Sequence, residues 1–249
     1  MQLSIVIPAY NEEERLPKTL TLLKAFFRDG KTKEGMTLQE ILVVDDGSTD
    51  GTVESARGWS DRLPLSVLSL PKNRGKGAAL RAGVQMAKGE VILLYDADSA
   101  TPIEEVPVLI AAMVKNGADI VIGSRVLQKE RQVLTFMPWH RRLIGRLYHA
   151  ICAPLVPGIH DAACGCKLFR RDVAQKLFSL QKVDRFAVDV EVLSLAHSFG
   201  YVVLEIPVHW TAIPESKVRL LRDGIEMLGC VICMYAARRQ DSSFRTARK

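Results

Sequence analysis

Short apolar runs at 4–7, 41–44, 65–68, 91–95 and 120–122 each stop abruptly at turn-forming or charged residues. Runs of this length predict buried strands. Between them the apolar positions recur at helical spacing. Over 13–27, for example, Leu16, Leu20, Leu23 and Phe27 share one face. Helices are predicted there and over 77–87 and 102–115. Strands alternating with helices through short connections predict an α/β fold with a doubly wound, mostly parallel, Rossmann-like sheet. Beyond residue 125 the pattern changes. It predicts a loop over 127–138, a helix over 139–155 with one basic and one apolar face, a loop running into a strand over 161–169, a helix over 188–199 and a strand over 201–209. A last helix over 218–239 carries Ile225, Met227, Leu228, Val231, Ile232 and Tyr235, which either pack on the core or lie in a lipid interface.

Polar residues gather where the predicted strands end. Asn11 and Glu12 follow the first, Asp45 and Asp46 the second, Asp96 and Asp98 the fourth, and Arg125 the fifth. Ligands of open α/β sheets bind at that edge. The most informative of these groups is Asp96-Ala97-Asp98. Two neighbouring carboxylates repel unless a cation lies between them, and a hard divalent ion that also holds nucleotide phosphates answers that need. A solvated turn explains an isolated Asp-x-Asp equally well. Asn73-Arg74-Gly75-Lys76-Gly77 precedes a predicted helix, whose start favours anions. It has neither the Walker nor the dinucleotide glycine spacing.

The chain has 249 residues, 48% apolar and 25% charged, which allows a full core. Its net charge of +6 is unevenly placed. Between 125 and 149, Arg125, Lys129, Arg131, Arg141, Arg142 and Arg146 stand against Glu130 alone. No nucleic-acid-binding pattern accompanies this basic stretch, so nucleic acid is not an expected partner. Polyanionic substrates and anionic lipid surfaces fit it. Five cysteines in irregular spacing, Cys164-Gly165-Cys166 among them, lack zinc-site geometry and predict a reduced, cytosolic chain. The start of the chain reads as a strand and not a signal peptide. No apolar run approaches the ~20 residues of a membrane span. The expected location is therefore cytoplasmic and peripheral to a membrane face.

Four ordered motifs now come together: Pro8-Ala9-Tyr10-Asn11-Glu12, Val44-Asp45-Asp46-Gly47-Ser48-Thr49-Asp50, Asn73-Arg74-Gly75-Lys76-Gly77-Ala78-Ala79 and Asp96-Ala97-Asp98. The set resembles family 2 glycosyltransferases of the GT-A fold. Gly123-Ser124-Arg125, the stretch 161–169, Arg185-Phe186-Ala187-Val188-Asp189-Val190-Glu191, Trp210-Thr211 and Glu215-Ser216-Lys217 resemble the dolichyl-phosphate β-glucosyltransferase branch, with polyprenyl-phosphate glycosyltransferases as close relatives.

The resemblance implies a GT-A domain over 1–211, divided into a nucleotide-sugar half (1–125) and an acceptor half (126–211). Residues 212–249 would form an amphipathic helix and basic tail, with the C-terminal helices at the membrane side. It implies an inverting transfer of a hexose, glucose from UDP-glucose foremost, onto a polyprenyl or dolichyl phosphate. Pro8, Ala9, Tyr10, Glu12, Asp46, Lys76, Asp96 and Ala97 would bind the donor nucleotide. Asp98, and Asp96 if it does not hold ribose, would bind Mg²⁺ or Mn²⁺. Arg125, Arg142, Arg146 and Lys217 would hold the acceptor phosphate. Asp161, Asp189, Glu191 and Trp210 would wall the sugar site, and Asp98, Asp161 and Arg125 would carry the chemistry. Acidic residues near a helix start also stabilise the helix itself, and Trp210 could equally close the core. Mannosyl relatives carry Gln where this chain has Ala100. Another nucleotide sugar (GDP-mannose or a UDP-N-acetylhexosamine), a non-phosphate acceptor, and a non-catalytic nucleotide-sugar binder anchoring a membrane partner stay open, as does a homo-oligomer.

Overall fold

The computed structural model describes residues 1–27, 36–127, 139–211 and 220–240. The strands are β1 (Gln2–Ala9), β2 (Thr37–Asp45), β3 (Leu65–Ser69), β4 (Val91–Leu94), β5 (Ile120–Ser124), β6 (Lys167–Arg170) and β7 (Val203–Pro207). They form one seven-stranded sheet in the order β3-β2-β1-β4-β6-β5-β7. All pairings are parallel except those of β6, which runs antiparallel to both β4 and β5. The mostly parallel expectation therefore holds, with one reversed strand in the middle of the sheet. Because β6 is reversed, its first residue lies at the edge where the other strands end.

The helices are α1 (Leu16–Phe26), α2 (Thr52–Arg57), α3 (Lys76–Met86), α4 (Val106–Asn116), α5 (Trp139–Cys152), α6 (Arg171–Leu180), α7 (Val188–Ser198) and α8 (Leu220–Gln240). The sheet is apolar on both faces, as helix-covered strands require. Along β1, Leu3, Ile5 and Ile7 join Leu16, Leu20 and Leu109 in one core layer. The intervening Val6 joins Leu80, Val84, Leu177 and Leu193 in the other. This two-residue alternation places α1 and α4 on one face and α3, α6 and α7 on the opposite face. Each such side chain removed from water contributes about 2 kcal/mol.

Three elements differ from the sequence reading, the first being α2, to which it assigned no element. The segment expected to be helical from 102 opens as a 3₁₀ turn, Ile103–Glu105, before α4 begins. The sequence reading assigned no element to α6, which buries Val173, Ala174, Leu177 and Phe178. The loop predicted over 127–138 lies almost wholly outside the described residues. In α8 one face packs: Val231 is buried, and Tyr235 donates to the carbonyl of Ile151 at 2.7 Å. Ile225, Leu228 and Ile232 on that helix, and Leu147 on α5, are exposed. Among the described residues no helix is long and apolar enough to cross a membrane.

The loop between α6 and α7 straps onto the start of α3 and the segment before it. Asp184 takes Arg74 at 2.8 Å and Arg81 at 2.5 Å. The Asp184 carbonyl accepts the Ala78 amide at 3.0 Å, at the start of α3. Gly75 sits at φ +118°, and a Cβ there would lie 2.6 Å from both Arg185 Cγ and the Asp184 carbonyl oxygen. Gly75→Ala is therefore expected to cost about 2 kcal/mol from backbone strain and clash. A urea midpoint equal to that of the unaltered protein would contradict it.

Candidate active site

The exits of β1, β2, β4 and β5 and the entry of β6 meet at one edge. Asp96 and Asp98 leave β4 there, half-buried. Lys76, on the first turn of α3, reaches Asp96 Oδ1 at 2.8 Å. Desolvation alone would raise the Asp96 carboxyl, but Lys76, then Lys167 and Arg125, outweigh it and hold it below the usual range. Asp98 goes the other way: desolvation, then repulsion from Asp96, pushes it up. The loop is braced from α1, where Thr19 Oγ1 donates to the Ala97 carbonyl at 2.6 Å. Ser99 in turn donates to Thr19 at 2.7 Å. Ser99 itself sits at φ +53°, so the turn after Asp98 is held in a conformation that most side chains avoid.

The start of α3 is occupied by protein groups. Asp46 is buried and accepts the amides of Arg74 (2.8 Å) and Gly75 (2.7 Å) and the Asn73 side chain (2.9 Å). The anion at this helix start is thus the chain's own carboxylate, and Lys76 is paired with Asp96 instead of solvated. Asp46 also donates its amide to the carbonyl of Ala9 at 2.8 Å, which joins the exits of β1 and β2. Asn11 strengthens that junction, taking Ser48 Oγ with its amide at 2.9 Å and accepting the Thr49 amide at 2.8 Å. Glu12 is held by Arg15 at 2.7 and 2.9 Å. Pro8 is half-buried and Tyr10 is exposed at the rim.

Across the edge, Arg125 and Asp161 form a two-point pair at 2.7 and 2.6 Å, and the Arg125 amide adds a third bond at 2.9 Å. Burial would lower the guanidinium's affinity for its proton, but Asp161 more than restores it. Burial likewise raises Asp161, and Arg125 more than reverses that. Behind them, buried Glu205 on β7 accepts the amides of Asp161 (2.7 Å) and His160 (2.8 Å) and so fixes the loop that presents Asp161. Trp210 lies under Arg125, its ring 5.4 Å from the guanidinium carbon. Trp210, Asp96, Asp98, Gly165 and Cys166 line a shallow open cleft.

Asp189 is paired with Lys167, and Glu191 accepts the amides of Lys182 and Val183. Glu191 therefore organises the strap loop. The side chains of Arg142 and Arg146 on α5, and all of Lys217, lie outside the described residues. Lys167 and Glu205 are the buried polar groups at this edge that sequence reasoning missed. For Glu205 the signal was a charge among the apolar residues of β7; for Lys167, in a four-residue strand that also carries Arg170, there was none.

Among the described residues no three His, Cys, Asp or Glu side chains group as metal ligands. A nucleotide-bound Mg²⁺ or Mn²⁺ needs no such cage, since one or two carboxylates suffice and phosphate oxygens complete the shell. Asp98 fits that requirement. Its carboxylate takes one amide, from Ala100 at 3.0 Å, and its negative charge is poorly compensated.

A mostly parallel sheet that gathers an Asp-x-Asp turn, a lysine and a carboxylate-clamped arginine at its exits defines a GT-A-like glycosyltransferase fold. Residues 4–178 match the family described as glycosyl transferase family 2. The chain belongs to that family and is a glycosyltransferase. It is 39% identical over 223 residues to a dolichyl-phosphate beta-glucosyltransferase of Trichomonas vaginalis, covering 88% of this chain and 68% of the relative. It is 37% identical over 226 residues to the human dolichyl-phosphate beta-glucosyltransferase, covering 87% and 69%. Among solved structures, glucosyl-3-phosphoglycerate synthase of Mycobacterium tuberculosis with Mn²⁺, UDP and glucosyl-3-phosphoglycerate superposes with a TM-score of 0.69 at 22% identity, covering 95% of this chain and 79% of that one. The same enzyme is also known with Mg²⁺ and UDP.

Proposed function

We propose that this glycosyltransferase moves glucose from UDP-glucose onto the phosphate of a polyprenyl lipid of the dolichyl type, working at a membrane surface. The observation that carries the reading is the likeness to relatives named dolichyl-phosphate beta-glucosyltransferase along nearly nine-tenths of the chain. The residues support it chemically. Asp98, with Asp96 beside it, would hold Mg²⁺ or Mn²⁺ against the donor diphosphate. That ion, when bound, supplies charge neutralisation for the leaving UDP.

Lys76 keeps Asp96 ionised and adds a second positive charge at the diphosphate. Pro8, Tyr10, Glu12 and Asp46 border the nucleotide half. Arg125, set in place by Asp161 and stacked on Trp210, presents its remaining N–H groups to the acceptor phosphate, with Arg142, Arg146 and Lys217 as further cations. A phosphate monoester is already anionic near neutral pH, so positioning it matters more than a strong base. Its oxygen attacks C1 of the sugar as the C1–oxygen bond to UDP breaks. A single displacement of this kind inverts an α-linked donor to a β-linked product. The exposed Leu147, Ile225, Leu228 and Ile232 offer an apolar surface for the lipid interface.

The test is a screen of radiolabelled UDP-glucose, GDP-mannose and UDP-N-acetylglucosamine against polyprenyl phosphate, with extraction of the product into organic solvent. Label from UDP-glucose is expected in the lipid phase, and a paired loss of Arg142 and Lys217 should remove it. Preferential transfer from another donor, or transfer that survives both substitutions, would overturn the reading.

A further inference from the structure

Lys167 opens β6, the strand that runs against the rest of the sheet, and its backbone pairs with Leu94 on one side and Ile122 on the other. It therefore lies between the two strands whose exits deliver Asp96 and Arg125. Its side chain is 2% exposed. The ammonium donates to Asp189 Oδ1 at 2.5 Å and to the carbonyl of Cys164. A well-packed apolar pair would stabilise such an interior at least as well as a buried ion pair, so stability alone does not account for these two charges.

Both partners lead to the site. Cys164 begins the turn whose next residue, Gly165, lies directly against Asp96: a Cβ on Gly165 would overlap Asp96 Oδ2. Asp189 stands in the first turn of α7. The lead-in to that helix packs on Gly75 and Gly77, beside Lys76.

We propose that Lys167 is a positioning residue for glycosyl transfer, tying the turn under Asp96 to the start of α7 so that the Asp-x-Asp carboxylates keep one fixed placement relative to Lys76 and Arg125. The inference rests on the transfer reading above. Lys167 acts through the Cys164 carbonyl and Asp189 and touches no substrate itself. No side chain separates Gly165 from the Asp96 carboxylate, and a misplacement of about 1 Å at a reacting centre costs about a hundredfold in rate.

The experiment compares the unaltered protein with Lys167→Met/Asp189→Asn, Lys167→Arg and Gly165→Ala. Removing both charges leaves no buried charge unpaired, although the Cys164 carbonyl loses its donor, so the thermal midpoint of the double variant should stay within about 8 °C of the parent. Its kcat for transfer from UDP-glucose should fall about a hundredfold, and the Mn²⁺ concentration for half-maximal rate should rise about threefold or more, because the carboxylates that hold the ion are displaced. Gly165→Ala should reproduce both changes without touching the ion pair, and Lys167→Arg should retain more of kcat than the double variant.

A double variant with parental kcat, or one that loses kcat with an unchanged Mn²⁺ requirement, overturns the proposal. Should the double variant not fold, Gly165→Ala and Asp189→Asn decide, and parental kcat in both overturns it equally. A parent that neither binds UDP with Mn²⁺ nor transfers glucose would instead sink the transfer reading, and that result is visible before any variant is made.

Discussion

Asp98→Ala is expected to lower transfer by about a thousandfold or more and to leave the protein as stable as before, or more so. Desolvation and the neighbouring Asp96 raise the Asp98 carboxyl above its ordinary range. An acid whose pKa is higher folded than unfolded destabilises the fold once pH rises past the unfolded value, about 3.9. Alanine removes that penalty at neutral pH and changes little below about pH 3, where both states are protonated. A residue that weakens the fold yet carries the reaction is the trade expected of a functional carboxylate. Thermal melts at pH 7 and calorimetry of UDP with and without Mn²⁺ check both halves. Metal-dependent UDP affinity that survives the substitution would remove Asp98 from the site.

Asp161→Ala should act in the opposite sense on stability. It leaves Arg125 mostly buried without its two-point partner, at a cost of about 3 kcal/mol. It also frees the guanidinium to swing away from the cleft, so transfer should fall by about a hundredfold. Arg125 holds the Asp161 carboxyl below its ordinary range against the desolvation that would raise it. The stabilisation it contributes is therefore present above the unfolded pKa and is lost as pH falls through the depressed folded one. Acid titration of unfolding should show that loss in the parent below about pH 4 and not in Asp161→Asn. Identical acid profiles for the two proteins would show that the pair contributes nothing to folding.

Five strands and the clustering of polar residues at their ends were legible in the sequence because each apolar run is short and stops at a charged or turn residue. Asp96, Asp98 and Arg125 sit where that reading put them. What escaped depends on contacts between distant segments. The four residues of β6 give no hint of direction, since reversal follows from pairing with Leu94 and Ile122. Lys167 reads as a surface lysine until that reversal buries it. The α6 segment was legible in the same way, with Val173, Ala174, Leu177 and Phe178 at helical spacing. The partners of Asp46 and Asp161 were invisible for another reason. A carboxylate at a strand exit looks the same in sequence whether it meets ligand or holds its own loop.

At the head of α3 the Asp46 carboxylate takes the Arg74 and Gly75 amides and the Asp184 carbonyl takes that of Ala78. On the proposed reading, a pyrophosphate arriving there would be retained chiefly by Lys76 and a dissociable ion. Occupancy of such a pocket follows the supply of free divalent cation as closely as that of nucleotide. UDP carried through a gel-filtration column with the protein should therefore be shed when magnesium is withdrawn from the running buffer.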